Sequence, residues 1–456
     1  LIVFAISNPP AELFQQVIDS CDVFPVRFNT VSVLKDMTTG EVSVDRMRGL
    51  KIEDLLGRSP VSVDPAPVRN AVSGKTVMVT GAGGSIGSEL CRQLASYKPR
   101  RLVLLDSGET PLFEIDRELR QTYPNLDIRP IIADIKHAEV VDWAFDQTKP
   151  DFVYHAAAYK HVPLMEAHPD EAVLNNVRGT RNVAEAARQH RCERFVMVST
   201  DKAVRPSNVM GATKRMCELV VQSMNGGKTV FTAVRFGNVL GSNGSVIPIF
   251  KKQLEAGGPL TITHPEMTRF FMTIPEAVSL VLQCGVIAEP GDVFVLDMGT
   301  PVKILDLAKN IIRLSGLREN VDVSIKVTGL RPGEKMYEEL VAYGEALQAT
   351  RVPKVNVLKQ KRDGLCQHVL IAMMKRMEDV AGEREVEKTR AMLWRMIDLD
   401  NRRALEGVDG LTTRDVKAIA KDWLDTVNVP AGYLAAKSKG RVLAVVGDLS
   451  IRDALS

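Results

Sequence analysis

Residues 74–106, GKTVMVTGAGGSIGSELCRQLASYKPRRLVLLD, constrain this chain more than any other stretch. Val77-Met78-Val79 reads as a buried strand. The turn Gly81-Ala82-Gly83-Gly84-Ser85-Ile86-Gly87 follows, then a helical pattern on Ile86, Leu90 and Leu94, then an apolar run, Leu102-Val103-Leu104-Leu105, that closes on Asp106. This is a β-α-β unit with a dinucleotide fingerprint in its required context. Glycines let the chain turn out of the strand, approach a pyrophosphate with its backbone and pack the helix close to the sheet. The first helical turn offers unpaired N–H groups and the positive dipole end to phosphates. Gly81, Gly84, Ser85, Ile86 and Gly87 are therefore candidate cofactor residues. Asp106 lies 19 residues beyond Gly87, where a carboxylate bonds a ribose 2′-OH and repels a 2′-phosphate, which favours NAD over NADP. The spacing is G-x-x-G-x-x-G, and a bare glycine trio is more often only a turn. The strand before, the helix after and the acid beyond argue against that here.

Alternation continues along the chain. Helices are expected over 112–120, 139–146 and 172–190, and from Met210. Strands are expected over 128–133, 152–154, 195–198 and 232–235. The fold class is α/β, a Rossmann-type doubly wound parallel sheet. Asp134, with Ile135 beside it, stands at a strand end where its carboxylate can accept from an adenine amino group. Ala156 and Ala157 follow another strand, and their small side chains let a flat cofactor lie close to the backbone. Residues 236–283 and 300–350, rich in Gly, Pro and polar groups, suit a smaller substrate lobe. One more strand is expected over 293–297 and a helix over 304–314.

The flanks read differently. Residues 1–72 look like the remnant of a preceding α/β domain (strand 1–6, helix 11–20, strand 23–26) with a Pro-punctuated connector. The chain opens on Leu1 inside a strand-like run, so a preceding segment is expected to be missing. Residues 73–355 form the cofactor domain with its lobe. Residues 356–456 form a helical, charged extension with a strand candidate over 442–446; Met373, Met374 and Met377 read as helix core, and 398–456 carry no recognisable pattern. A net charge of +3 without a dense basic run argues against nucleic acid. Six scattered cysteines without a C-x-x-C pair indicate reduced thiols and no zinc site, and no apolar run is long enough to span a bilayer. His155 and His161 read as packing residues, and no metal site is expected.

The motifs TGAGGSIGSELCRQ, YHAAAYKHVPLME, NVRGTRNV, VSTDKAVRPSNVMGATKR, RFGNVLGSNGSVIP, THPEMTRFFMTIPEA and GLRPGEKMYEEL occur in this order over residues 74–340. In them the chain resembles the nucleoside-diphosphate-sugar epimerase/dehydratase family of bacterial polysaccharide biosynthesis, within the extended short-chain dehydrogenase/reductases. It is similar above all to the membrane-associated UDP-N-acetylglucosamine 4,6-dehydratases of capsule and glycan pathways. The resemblance implies a lyase that removes water from a UDP-N-acetylhexosamine to give a UDP-4-keto-6-deoxy sugar, using tightly bound NAD that is recycled within each turnover. It also implies a homo-oligomer. The fragment would be cytoplasmic, and the intact parent would be anchored to the cytoplasmic face of the inner membrane through its missing N-terminal part.

That chemistry needs an acid and a base at the C5–C6 edge of the sugar. The resemblance assigns Asp201 as the acid for the 6-OH and Lys202 as the base at C5; for the 4-OH, Thr200 polarises the oxygen and either Asp201 or Lys202 takes the proton. Taken alone, an Asp-Lys dipeptide is more often a surface ion pair. As a base Lys202 must be neutral, through burial or nearby cations such as Lys214. The superfamily's Tyr-x-x-x-Lys is here Met210-Gly211-Ala212-Thr213-Lys214, so Lys214 can hold the nicotinamide ribose but Met210 cannot take a proton. Asn176 and the loop after Val198 are expected at the nicotinamide, and Lys160 on the substrate side of that pocket. Met210, Asn238, Arg269, Arg331 and Glu334 are expected at the UDP-sugar, although Arg331 and Glu334 could equally pair only to steady their turn. The alternatives are a UDP-sugar 4-epimerase of the same fold, or a non-catalytic NAD-binding scaffold.

Overall fold

The computed structural model describes residues 2–4, 11–20, 26, 28–31, 47–49, 63–342, 345–359, 364–406, 435–437 and 442–444. Its centre is a nine-stranded sheet. In chain order the elements are β1 (Thr76–Thr80), α1 (Ser85–Ser96), β2 (Arg101–Asp106), α2 (Glu109–Thr122), β3 (Asp127–Ile132), α3 (Ala138–Thr148), β4 (Phe152–His155), α4 (Gly179–Gln189), β5 (Arg194–Val198), α5 (Val209–Ser223), β6 (Val230–Arg235), α6 (Ile274–Ile287), β7 (Val293–Leu296), β8 (Ala346–Ala349), β9 (Val355–Lys359), α7 (Gly364–Gly382) and α8 (Val386–Glu406). The strand order is β8-β9-β7-β6-β5-β4-β1-β2-β3. β7 through β3 in that order run parallel, and β9 and β8 add an antiparallel edge.

The buried runs explain the doubly wound form. Val77 and Val79 pack with Leu90 and Leu94 of α1 on one face of the sheet, and Met78 packs with Phe145 and Val183 on the other; all are fully buried. A strand covered by helices on both sides has no reason to alternate apolar with polar residues. The order reverses between β1 and β4, and the loops leaving these two strands frame the crevice where ligands of such sheets bind.

The lobe is built from short pairs: Asn238–Val239 with Phe271–Met272, Leu260–Ile262 with Ile325–Val327, and Thr268–Arg269 with Val302–Lys303. They close over Phe250, Leu307 and Ile312. The helix expected over 304–314 is Ile304–Leu314.

Three features depart from the sequence reading, and a fourth agrees with it. The helix expected over 172–190 carries a π turn, Val173–Arg178, between Pro169–Ala172 and Gly179–Gln189. The boundary expected at 355 cuts into β9, because residues 346–359 pair onto β7 and belong to the central sheet. The connector contains a helix, Ala66–Val72, started by Pro65 and Pro67, since proline is compatible with a first turn. The strand candidate over 442–446 appears as Val442–Ala444, paired antiparallel with Ala435–Lys437. In the N-terminal part a parallel pair, Ile2–Phe4 with Phe28–Val31, accompanies the helix Ala11–Ser20; the strand expected over 23–26 falls outside the described residues apart from Val26, and residues 407–434 also lie outside them.

Helices α7 and α8 join the main core. Met373, Met374, Met377, Met392 and Met396 are buried with Val209 and Met216 of α5. Buried charge ties the same contact: Arg215 Nε donates to Asp400 Oδ2 at 2.6 Å and Arg181 Nε to Glu378 Oε1 at 3.0 Å. Among the described residues no helix is long and apolar enough to cross a membrane.

Candidate active site

At the β1–α1 turn the protein's own atoms demand most of the glycines. Gly81 has φ +70° and a Cβ there would lie 2.6 Å from the Ala157 nitrogen; a Cβ at Gly87 would lie 1.9 Å from the Gly81 oxygen. Gly84 differs. A Cβ there would meet only the Gly81 oxygen, at 3.3 Å, so the protein leaves that face of the turn open to a ligand. Ser85 opens α1 and its hydroxyl accepts the Asn243 N–H at 3.1 Å, while Ile86 is half-buried beside it.

Asp106 accepts N–H groups from Gly83 (2.9 Å) and Gly108 (2.8 Å), which fixes its carboxylate across the turn. Asp134 accepts the Lys136 N–H at 2.9 Å, and the buried Ile135 packs where a Cβ on Gly179 would collide. Ala156 donates to the Thr80 oxygen at 3.0 Å, so half-buried Ala156 and Ala157 line the crevice directly opposite the glycine turn. A flat crevice, an open Gly84 and an acid at the end of β2 fit an NAD-type dinucleotide.

Asn176 lies in the π turn, and its amide is spent on the protein. Its Oδ1 accepts the Tyr159 N–H at 2.8 Å, and its Nδ2 donates to the Tyr159 oxygen and to Thr213 Oγ1, each at 3.0 Å. It braces the 156–160 loop rather than presenting a free amide to that pocket. His155 spans Thr80 Oγ1 (2.7 Å) and Thr180 Oγ1 (2.9 Å); burial, helped by Lys214, lowers it to about 3, so it is neutral. Among the described residues no group of His, Cys, Asp or Glu could hold a metal ion.

The Thr200-Asp201-Lys202 loop follows β5. Thr200 Oγ1 donates to Asp201 Oδ1 at 2.8 Å and accepts the Lys202 N–H at 3.3 Å. Lys202 Nζ donates to Asp201 Oδ1 at 3.0 Å and to Asn238 Oδ1 at 3.1 Å. Asp201 is completely buried and its Oδ2 has no hydrogen-bond partner among the described residues. Gly237 stands against it: a Cβ there would lie 3.2 Å from Asp201 Oδ2. The pair is therefore an interior ion pair, not the surface pair that the dipeptide alone would suggest.

Two lysines stand around this loop. Lys214 Nζ donates to the Val198 oxygen at 2.7 Å, and burial lowers that amine. The Lys160 amine is lowered too, by burial and then by the charge of Lys202. Met210 is buried in the core at the start of α5.

The loop 329–339 straps over this centre. Asn208 Nδ2 and Ser207 Oγ both donate to the Gly333 oxygen at 3.0 Å, and Lys335 Nζ donates to the Val204 oxygen at 2.9 Å. Arg269 is buried, and its guanidinium donates to the oxygens of Thr268 (2.7 Å), Lys335 (2.8 Å) and Met336 (3.2 Å), so it holds the strap. Glu334 lies 3.8 Å from Arg269 and accepts the Arg331 N–H at 3.3 Å. The Arg331 side chain is exposed and makes no ion pair among the described residues, so its contact with Glu334 runs through the backbone N–H and not through the side-chain pair that the spacing offered.

The strap also delivers a residue that sequence reasoning missed. The Glu338 side chain is buried, with Oε1 3.9 Å from both Lys202 Nζ and Arg269 Nε. Burial and the Asp201 carboxylate raise its pKa against the pull of Lys202, Arg269 and Lys335. Its signal was in GLRPGEKMYEEL, where the reading stopped at Glu334, one helical turn's spacing short.

Comparison with known proteins gives the family. The family model described as polysaccharide biosynthesis protein matches residues 77–360. The capsular polysaccharide biosynthesis protein CapD of Staphylococcus aureus is 53% identical over 347 residues, covering 75% of this chain and 58% of the relative. The chain thus spans less than two thirds of that relative's length. A UDP-glucose 4-epimerase of Rickettsia canadensis is 37% identical over 285 residues, 60% of this chain and 80% of that protein. Among solved structures, the X-ray structure of Pen from Bacillus thuringiensis superimposes with a TM-score of 0.59 at 36% identity, covering 63% of this chain and 90% of that one.

Proposed function

Because this chain belongs to the polysaccharide biosynthesis protein family, we propose that it is an NAD-dependent nucleotide-sugar 4,6-dehydratase acting on a UDP-N-acetylhexosamine, with UDP-N-acetylglucosamine as the substrate. The observation that carries this reading is the buried, hydrogen-bonded Asp201–Lys202 pair beside the cofactor crevice, with Met210 in place of a proton-accepting phenol. A simple C4 epimerisation needs one proton acceptor at the 4-OH; elimination across C5–C6 needs an acid and a base side by side.

NAD, when bound, supplies a hydride acceptor at C4 and the same hydride for C6. Gly81, Gly84, Ser85, Ile86 and Gly87 would hold its pyrophosphate, Asp106 its ribose, Asp134 and Ile135 its adenine end, and Ala156, Ala157 and Lys214 its nicotinamide half. Asn176 supports that pocket through the Tyr159 backbone. Asp201, assisted by Thr200, takes the 4-OH proton and later gives it to the departing 6-hydroxyl. Lys202 takes the proton from C5 and, as an ammonium whose hydrogens exchange with solvent, gives one back to C5. Asn238 and Arg269 shape the sugar side, with Arg331 and Glu334 at the nucleotide end.

The epimerase relative keeps a second reading in play. One experiment separates them: incubation with UDP-N-acetylglucosamine in deuterated water, followed by NMR. A 4-keto-6-deoxy product with deuterium at C5 is expected. Inversion at C4 with no ketone would establish the epimerase instead, and a chain that binds NAD but leaves the sugar unchanged would leave only a scaffold.

A further inference from the structure

We infer that Glu338 takes up the proton that Lys202 must shed, and so lets Lys202 meet the sugar as a neutral amine. This rests on the dehydration reading above. The problem it answers is visible in the geometry. Lys202 Nζ donates to Asp201 Oδ1 at 3.0 Å and to Asn238 Oδ1 at 3.1 Å, and Glu338 Oε1 stands 3.9 Å away, within ion-pair reach, so the surroundings suit an ammonium. An ammonium has no lone pair for a C–H proton. Its proton has to rest on a neighbouring group while the chemistry proceeds.

Asp201 is not free for this. Its Oδ1 already accepts from Thr200 and Lys202, and its unpartnered Oδ2 is needed ionised to take the 4-OH proton. Met210 offers no phenol. Glu338 remains: its side chain is 97% buried, and its Oε2 has no hydrogen-bond partner among the described residues. A buried carboxyl is better tolerated neutral than charged, and burial with Asp201 nearby pushes Glu338 toward the protonated form. The charged groups facing it are Asp201 and Lys202 from the turn after β5, Arg269 from the lobe and Lys335 from its own strap; Lys160 faces Lys202 from across the crevice.

The protons balance. The exchange converts Glu338-COO⁻ and Lys202-NH₃⁺ to Glu338-COOH and Lys202-NH₂. The 4-OH proton passes to Asp201 and leaves with the 6-hydroxyl as water. The C5 proton passes to Lys202, whose ammonium hydrogens exchange with solvent, and one proton goes back from Lys202 to C5. Glu338 keeps its proton throughout and touches no reacting atom, so it acts through Lys202 as a positioning residue.

The test compares the full chain with E338Q and E338D. Trace acetylation by acetic anhydride, read at Lys202 by peptide mass spectrometry, measures the neutral amine whether or not the protein turns over. A lysine sharing one proton with Glu338 should label at a rate nearly independent of pH between about pH 6 and 8, and E338D should keep that flat profile. E338Q should label more slowly at neutral pH and climb about tenfold per pH unit, as an amine titrating alone does. The pH profile of turnover should follow the same pattern. Identical labelling profiles in wild type and E338Q overturn the inference, as does a uniform loss in E338Q without a change of slope. A wild-type chain that forms no 4-keto product overturns the dehydratase reading instead, while the labelling still decides whether the two side chains share a proton.

Discussion

Gly211 and Lys202 meet through their backbones: a Cβ on Gly211 would lie 2.2 Å from the Lys202 carbonyl oxygen. The first turn of α5, capped by Asn208 accepting the Gly211 N–H at 2.8 Å, is therefore the floor on which the acid–base loop rests. G211A has to lift that loop. Turnover should fall about 100-fold, because a displacement near 1 Å is enough for such a loss, while the circular dichroism spectrum stays that of the wild type. Steady-state kinetics beside thermal melting check this.

The glycines of the cofactor turn should separate into two classes. G87A forces a Cβ to 1.9 Å from the Gly81 oxygen and should lower stability by about 2 kcal/mol or more, as overpacking does. G84A meets only the Gly81 oxygen, at 3.3 Å, which asks for a shift of about a few tenths of an ångström, so its melting temperature should stay within a few degrees. Its loss should appear in NAD retained through gel filtration, read by absorbance. A G84A chain that keeps a full complement of NAD would show that the cofactor does not approach there.

Replacing Lys202 by methionine should abolish solvent deuterium at C5 and cut turnover by about 10²–10⁴, the usual range for a lost general base. D201N should be equally slow. It should also release the Lys202 ammonium from one of its nearest acceptors, 3.0 Å away, so that its labelling profile changes as well. A K202M protein that still exchanges the C5 proton would move the base elsewhere.

Acid should loosen the core at Glu218. This buried carboxylate resists the penalty of burial because Arg235 and Arg215 hold it ionised, down to about 2. Its pKa is depressed on folding, so the stabilisation is complete above the ordinary value near 4.5 and drains away as pH falls toward 2. A shift of this size corresponds to about 3 kcal/mol. Urea unfolding at about pH 6 and pH 3 should reveal it, and E218Q should flatten that dependence while starting about 3–5 kcal/mol less stable.

The parts legible in the sequence are those whose cause is local. The strand, glycine turn, helix and Asp106 stand within 33 consecutive residues and could be read as one motif. The helix over Ile304–Leu314 announces itself by apolar spacing. Glu338 was not legible, because its burial depends on a strap held by Asn208, Lys335 and Arg269, each bonded to backbone far away in sequence. The same holds for β8 and β9, whose place beside β7 is decided by pairing rather than by their own pattern. Arg269 shows the limit most clearly. Its charge suggests a phosphate, yet its N–H groups are occupied by three backbone oxygens.

The π turn at Val173–Arg178 sets the angular phase of the helix that carries Asn176. One extra residue in a helical turn rotates everything beyond it by about 100° relative to an uninterrupted α-helix. Upstream and downstream faces are thereby set independently: Asn176 can reach the Tyr159 backbone, while Val183 and Ala187 still meet the sheet. Deleting one residue from that turn would restore regular winding and force a choice between the two. The chain could keep its hydrophobic seam or its grip on the cofactor-side loop, and lose the other.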